Sequence, residues 1–362
     1  MDRRSVLKLC LSLGAFADPA RAALAARALP RRFSGVSAQP WLALAALPTP
    51  LEEHPALGRA LGVGRLWVKR DDRAGARAGG SKLRKLELLV ADAEARGHRA
   101  VAAVGGVGSN QTLATAVIAR QRGLGSHLYL LAERPSAAVR HHLLAQAALG
   151  AKQQLVASEA QAARAIAHLP ERPYSIPMGG SSALGNVGFV EAGLELASQL
   201  TPHVVYLPLG TGGAAVGLAL GLRAAGLDVE VVGVRTSSYA TGPRLAKMAR
   251  ETSALLHRLD STFPRDPGRL RLRVRDRFVG RGYAEPTAAG QRALTLAKQH
   301  AGLELDLTYT AKALAALAAD AAALRDKTVV FWLTYDARRV GSEGASARDL
   351  PASLRGYARA VL

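Results

Sequence analysis

Val204-Val205-Tyr206-Leu207-Pro208-Leu209-Gly210-Thr211-Gly212-Gly213-Ala214-Ala215 begins as a β-branched apolar run, turns through Gly-Thr-Gly-Gly and continues into an apolar stretch of helical period that reaches Ala225. A strand ending at Leu207, a glycine turn and a helix opening at Ala215 make the first two parts of a strand-helix-strand unit, and Val229 to Val234 supplies the third. Outward from this unit the alternation repeats. Strand-like runs stand at Leu66 to Arg70, Ala100 to Val104, His127 to Leu131, Leu155 to Val156 and Thr328 to Leu333. Helical patterns fill the gaps at Leu83 to Arg96, Gln111 to Arg122, Val139 to Leu149, Gln161 to Leu169, Val190 to Leu200 and Ala313 to Leu324. Strands separated by helices at this spacing predict an α/β chain of mostly parallel sheets covered by helices on both faces.

In such sheets ligands bind where strands end and helices begin. Four junctions are rich in glycine: Gly79-Gly80-Ser81-Lys82, Gly105-Gly106-Val107-Gly108-Ser109-Asn110, Gly179-Gly180-Ser181-Ser182 and Gly210-Thr211-Gly212-Gly213. The last opens a helix, so its N–H groups and the helix dipole suit a phosphate; close packing is the bland reading of the same glycines. Ser109 and Asn110 are polar groups at a second helix start, and they are also ordinary N-cap residues. Lys82 and Lys85 follow the Gly-Gly-Ser turn three residues apart, on one face of a helix start. A lysine at such a boundary loses solvation, is more easily neutral, and is then a nucleophile.

At 362 residues the chain exceeds one ordinary domain, and its 49% hydrophobic and 21% charged content excludes a disordered polar chain. Its single cysteine, Cys10, excludes an internal disulfide and a cysteine nucleophile in the body. Lysine and arginine number 48 against 28 acids, giving +20, and only nine of the 48 are lysine. Arg269, Arg271, Arg273, Arg275 and Arg277 alternate with other residues, which places five guanidinium groups on one face of a strand. A solvated face is the expected reading and an anionic partner the alternative; no nucleic acid is expected. At the N-terminus Arg3-Arg4 precedes a short apolar run to Ala17 and two small-residue sites, Ala15-Phe16-Ala17 and Ala20-Arg21-Ala22. This resembles a twin-arginine export signal, with Asp2 and Val6 departing from its usual residues. It predicts a periplasmic location, against a cytoplasmic protein with an amphipathic N-terminal helix. No run approaches the ~20 residues of a membrane span, so no stable anchor is expected.

Taken together, Leu47-Pro48-Thr49-Pro50-Leu51, Val68-Lys69-Arg70-Asp71-Asp72, Gly79 to Glu87, Val104 to Gln111, Pro177-Met178-Gly179-Gly180-Ser181, Gly282-Tyr283-Ala284-Glu285-Pro286-Thr287 and Leu305 to Lys312 resemble the D-cysteine desulfhydrase and 1-aminocyclopropane-1-carboxylate deaminase family of pyridoxal-phosphate enzymes. The resemblance runs in order over roughly residues 44 to 335. It implies two open, twisted, mostly parallel sheets of the tryptophan-synthase-β type. The division it implies is a leader at 1–32, a large cofactor-binding domain at 33–85 and 183–337, a small domain at 86–182 and a tail at 338–362.

Residue by residue, the resemblance implies pyridoxal 5'-phosphate held covalently on Lys82, Asn110 bonding its phenolic oxygen, Thr310 facing its ring nitrogen and Thr334 beside the ring. Gly210, Thr211, Gly212, Gly213 and Ala214 match the phosphate loop. Ser109, Asn110 and Gln111 match the substrate-binding positions, and Tyr283 and Tyr309 the two active-site tyrosines. No metal is implied, and a homodimer is. The activity implied is α,β-elimination on a small D-amino acid such as D-cysteine, giving pyruvate, ammonia and sulfide. The alternatives are the cyclopropane deaminase, which Gln111 favours, and a non-catalytic amino-acid-binding descendant. Three departures bear on the choice: Ala214 replaces a threonine, Ser81 an asparagine, and Leu333-Thr334-Tyr335-Asp336-Ala337 stands where the family has His-Thr-Gly-Gly. Asp336 is expected either to face the ring nitrogen or to leave Tyr335 filling the ring space.

Overall fold

The computed structural model describes residues 24, 26–75 and 79–359; Arg3, Arg4 and both small-residue sites lie outside the described residues. Among the described residues ten strands form two sheets. Strands β1 (Leu51–Glu53), β2 (Arg65–Arg70), β7 (Val204–Leu209), β8 (Glu230–Arg235), β9 (Leu272–Arg275) and β10 (Thr328–Leu333) make a six-stranded sheet in the order β1-β2-β10-β7-β8-β9. Strands β3 (Ala100–Gly106), β4 (Gly125–Leu131), β5 (Lys152–Val156) and β6 (Tyr174–Ile176) make a four-stranded sheet in the order β5-β4-β3-β6. Every pairing is parallel except β1 with β2.

Both faces of the large sheet are covered, and the alternation along each strand shows why. Val205, Leu207, Val231, Val330 and Trp332 face one core, shared with Val187 and Val190 of the Ala183–Gln199 helix and Val216 of the Gly213–Ala224 helix. Val204, Tyr206, Val232, Val329 and Phe331 face the other, shared with Leu314 and Leu317 of the Thr310–Ala319 helix. The small sheet divides likewise, with Val101, Ala103 and Leu128 on one side and Ala102, Val104 and Tyr129 on the other. Period-two packing on two covered faces is what produces near-continuous apolar strands. Side-chain caps set many helix starts: Ser109, Ser136, Ser158, Ser182 and Thr287 each accept a backbone N–H two or three residues on.

Several sequence expectations need adjustment. The Ala183–Gln199 helix starts seven residues before Val190, and the helices Gly242–Leu259 and Ala288–Ala301 and the short strands β1 and β6 were not legible as elements. The leader drawn to residue 32 overlaps folded chain. Arg27 forms a buried two-pronged pair with Glu87 at 2.7 Å, Leu29 is fully buried, and the N–H groups of Ala28 and Leu29 donate to Glu191. The tail beyond residue 337 packs Leu350, Leu354 and Ala358 into the core of the small sheet. The basic row is tied down within the molecule: Arg271 pairs with Asp228, Arg273 with Glu230 and Arg275 with Asp320. Three of the five guanidinium groups thus answer acids on neighbouring elements, which removes the reason to invoke an anionic partner for them. Among the described residues no helix is long and apolar enough to cross a membrane.

A buried ion network anchors the start of the Leu83–Ala95 helix to the large sheet. Arg84 donates to Asp71 at 2.8 Å and to Glu195 at 2.9 Å, Lys69 pairs with Glu195 at 2.5 Å, and the Trp332 indole N–H donates to Asp71 at 2.8 Å. All are buried, and breaking one member would leave an uncompensated charge. The network therefore fixes the segment that carries Lys82.

Candidate active site

The glycine junctions converge on one cavity of about 300 Å³ between the two sheets. It is lined by Ser81, Lys82, Lys85, Ser109, Asn110, Gln111, Gly210, Thr211, Gly212, Ala214, Tyr283, Tyr309 and Thr334, together with Tyr335 and Asp336. Two expected residues do not line it. Gly213 lies behind the loop at the helix start, and Thr310 is fully buried with its hydroxyl donating to Asp306 at 2.7 Å. The Thr310 hydroxyl is thus taken up by Asp306, and Asp306 is the group of that segment that reaches the cavity.

Lys82 ends a short turn that only glycine permits at its first position. Gly80 has φ +47°, and a Cβ there would lie 2.5 Å from the Thr334 carbonyl oxygen. The Ser81 N–H donates to that carbonyl at 3.2 Å, so the end of β10 holds the turn directly. Burial lowers the Lys82 pKa, opposed in part by the Asp306 carboxylate. A lysine so placed exposes a neutral amine at lower pH than a surface lysine does.

Lys85 points elsewhere. Its Nζ donates to Ser181 Oγ at 2.9 Å and to the Gly179 carbonyl at 3.1 Å, and Ser181 Oγ lies 2.6 Å from Thr211 Oγ1. A Cβ on Gly213 would meet Ser181 Oγ at 2.6 Å and Lys85 Nζ at 2.9 Å. Ammonium, two hydroxyls and the free N–H groups of a helix start therefore face one small space, a donor set that fits a phosphate. Burial, and then the charge of Lys82, push the Lys85 pKa well below its usual value, so an arriving anion would restore the proton. Ser181 and Lys85 bring a hydroxyl and an amine to this space, where Ala214 carries no hydroxyl. Their contribution was not legible in the sequence, because the three segments are joined only by the fold.

Across the cavity, Ser109 caps the Asn110–Gln121 helix by accepting from Gln111 N–H at 3.2 Å, while Gln111 holds Thr115 through its amide and has a buried, unpartnered Oε1. Capping and ligand reach thus coexist in one residue. The hydroxyls of Tyr283 and Tyr309 hydrogen-bond to each other. Burial raises both pKa values, so both stay protonated as donors. Asp306 caps the next helix through the N–H groups of Thr308, Tyr309 and Thr310. Asp336 is not free to address a ring: Arg338 grips both its oxygens at 2.8 Å and is held in turn by the carbonyls of Asp72 and Gly75. Tyr335, half-buried, lines the cavity beside it. Ser237, Ser238 and Tyr239, which no motif singles out, also line the cavity just beyond the carboxyl end of β8; their position after a strand end is the available signal.

Three comparisons bear on this site. The profile of a family described as pyridoxal-phosphate dependent enzyme matches residues 42–334. A D-cysteine desulfhydrase of Salmonella schwarzengrund is 35% identical over 295 residues, covering 77% of this chain and 87% of that protein. Among solved structures, an ACC deaminase homologue superposes with a TM-score of 0.76 at 27% identity, covering 86% of this chain and 96% of the other. A fungal L-serine ammonia-lyase from Rhizomucor miehei superposes with a TM-score of 0.57 at 19% identity, a likeness of fold. The site fits the cofactor these comparisons bring: a lysine in the cavity, an anion cradle beside a helix start, and polar groups opposite.

Proposed function

This chain belongs to the family of pyridoxal-phosphate-dependent enzymes, and from that premise we propose that it is a lyase that removes the β-substituent and the amino group of a small D-amino acid, D-cysteine first. The observation that carries the reading is a single cavity holding the Lys82 amine on one side and Ser109, Asn110 and Gln111 at a helix start on the other, with the tyrosine pair close by. The bound cofactor supplies an electron sink for the pair left at Cα. Lys82 holds it and moves the α-proton. Lys85, Ser181, Thr211 and the N–H groups beyond Gly212 hold its phosphate. Ser109 and Gln111 orient the substrate carboxylate, with Asn110 against the cofactor ring. The 35% identity to a D-cysteine desulfhydrase supports the substrate.

Deamination of the cyclopropane substrate is the second reading, favoured by Gln111 and by the likeness to an ACC deaminase homologue. 2-Oxo-acid release measured with D-cysteine, L-cysteine and 1-aminocyclopropane-1-carboxylate, with pyruvate and 2-oxobutanoate distinguished and sulfide measured alongside, separates the two. Pyruvate with equal sulfide from D-cysteine is expected; 2-oxobutanoate from the cyclopropane acid and no sulfide would replace the first reading by the second.

Export through the twin-arginine route and assembly as a homodimer complete the proposal. Arg3 and Arg4 support the first, and the family resemblance the second. Arg3→Lys with Arg4→Lys should retain the chain in the cytoplasm, and light scattering should return twice the 37.9 kDa chain mass.

A further inference from the structure

One cavity residue has no part in the scheme above. Glu133, just beyond the end of β4, reaches back over the Gly105–Asn110 turn: a Cβ on Gly106 would overlap its carboxyl group, and one on Gly108 would lie 3.1 Å from its Oε2. The Gly106 and Gly108 spacing thus makes room for a carboxyl group beside the residues that address the substrate. Its Oε1 is buried in the cavity wall without a partner. No cation among the described residues is paired with it; its neighbour Arg134 turns outward to Glu285 at 3.4 Å. Tyr283 and Tyr309 line the same cavity, and both feel its charge.

A buried carboxyl oxygen with no partner is costly unless a ligand completes it. The substrate carboxylate is already met by Ser109 and Gln111 in the scheme above. The hydrogen-bonding group that remains on a small β-substituted amino acid, apart from its amine at the cofactor, is the substituent on Cβ. We propose that Glu133 is a further catalytic residue: Oε1 hydrogen-bonds the β-substituent and gives it a proton as the Cβ–S or Cβ–O bond breaks. The inference rests on the elimination reading above. In balance, the α-proton passes to Lys82, the electron pair at Cα becomes the Cα=Cβ bond, and the pair of the breaking bond stays on the leaving atom. That atom takes the Glu133 proton and departs as hydrogen sulfide or water. The carboxylate recovers its proton from solvent, and hydrolysis of the aminoacrylate gives pyruvate and ammonia. Burial, opposed by the Gly108 N–H, raises the Glu133 pKa to about 7, so a good share of molecules carry the proton at neutral pH.

The test compares leaving groups that differ in their need for a proton. Glu133→Gln keeps the shape of the side chain, but it has no acidic proton. With D-cysteine its kcat should fall by about 100-fold, the scale of general acid catalysis, while elimination of chloride from β-chloro-D-alanine should stay within about threefold. Equal loss on both substrates would reduce Glu133 to a positioning residue for the turn, and no loss on either would remove it from the reaction; both overturn the proposal. Infrared spectra of the cofactor-free protein at pH 6 give a second readout, a protonated-carboxyl stretch present in the wild type and absent in Glu133→Gln. Its absence from the wild type would overturn the proposal. If the wild type released neither sulfide nor chloride, the elimination reading itself would fall, and the infrared band would still decide whether Glu133 holds a proton to give.

Discussion

Lys85 Nζ lies 2.9 Å from Ser181 Oγ, and this contact separates the roles of two lysines that the sequence presents as equivalents on one helix face. Ser181 in turn touches Thr211 in the turn proposed to hold the phosphate, so Lys85 is tied to that proposed anion cradle while Lys82 is not.

Lys82 is accordingly expected to carry the cofactor. Borohydride reduction of the holoenzyme followed by peptide mapping should find the pyridoxyl group on Lys82. Its recovery on Lys85 or Lys312 would refute the assignment. Lys312 is spoken for in another way, since its ammonium donates to the Val279 carbonyl at 2.7 Å.

Replacing Lys85 by Met should weaken cofactor binding by about 10- to 100-fold, the scale of one charge-assisted hydrogen bond, without moving the attachment from Lys82. Because the buried Lys85 amine is held below its ordinary pKa, phosphate binding should draw a proton from solvent. Calorimetry of the cofactor in buffers of differing ionisation enthalpy should show net proton uptake that Lys85→Met abolishes, and wild-type affinity should fall as pH rises.

At the end of β10, the Asp336–Arg338 pair and the Tyr335 side chain make distinct predictions. Tyr335→Gly should raise cofactor affinity, since it removes bulk from the cavity where the family has glycine. Asp336→Gly should leave product ratios unchanged, because its charge is already met by Arg338. Arg338→Ala is the revealing variant: an unpaired Asp336 would favour a protonated ring and shift products toward racemisation, read as L-amino acid appearing from the D-substrate.

How far the sequence carried the fold follows from where each signal lives. Strands β2, β3, β4, β7, β8 and β10 were legible because both their faces are buried, and burial on two faces leaves continuous apolar runs such as Val204 to Leu207. Strands β1 and β6 have three residues each, too few for any period to show. The site was legible where chemistry sits at glycine junctions, as at Lys82, Ser109 and Gly210. It was not legible where a group arrives from elsewhere in the chain. Asp306 reaches the cavity because it caps the helix whose first residue, Thr310, was expected to face the ring. Glu133 enters only because Gly106 and Gly108 leave it space, and Arg338 neutralises Asp336 from two residues away through a turn that no pattern foretells.

The ion network beneath Lys82 ties the stability of the protein to pH. Glu195 is buried, which by itself would raise its pKa, but the charges and hydrogen bonds of Arg84 and Lys69 outweigh that and bring it to about 2. Its folded value is therefore depressed below the unfolded one, so the unfolded chain binds the proton first as pH falls. The stabilisation is fully present above about pH 4.5 and is lost as pH drops toward about 2. A shift of this size corresponds to on the order of 3 kcal/mol. Glu195→Gln should remove that dependence and cost about 3–5 kcal/mol at pH 7, since Arg84 and Lys69 would share a single buried partner charge, Asp71. Urea unfolding of the two proteins at pH 7, 4 and 3 should show curves that converge as the pH falls. A constant gap between them would mean that Glu195 contributes by packing and not by charge. Because Arg84 belongs to the helix that starts directly after Lys82, the variant should also loosen the cofactor lysine, visible as faster exchange of the Lys82 and Leu83 amides while the edge strand β9 keeps its protection.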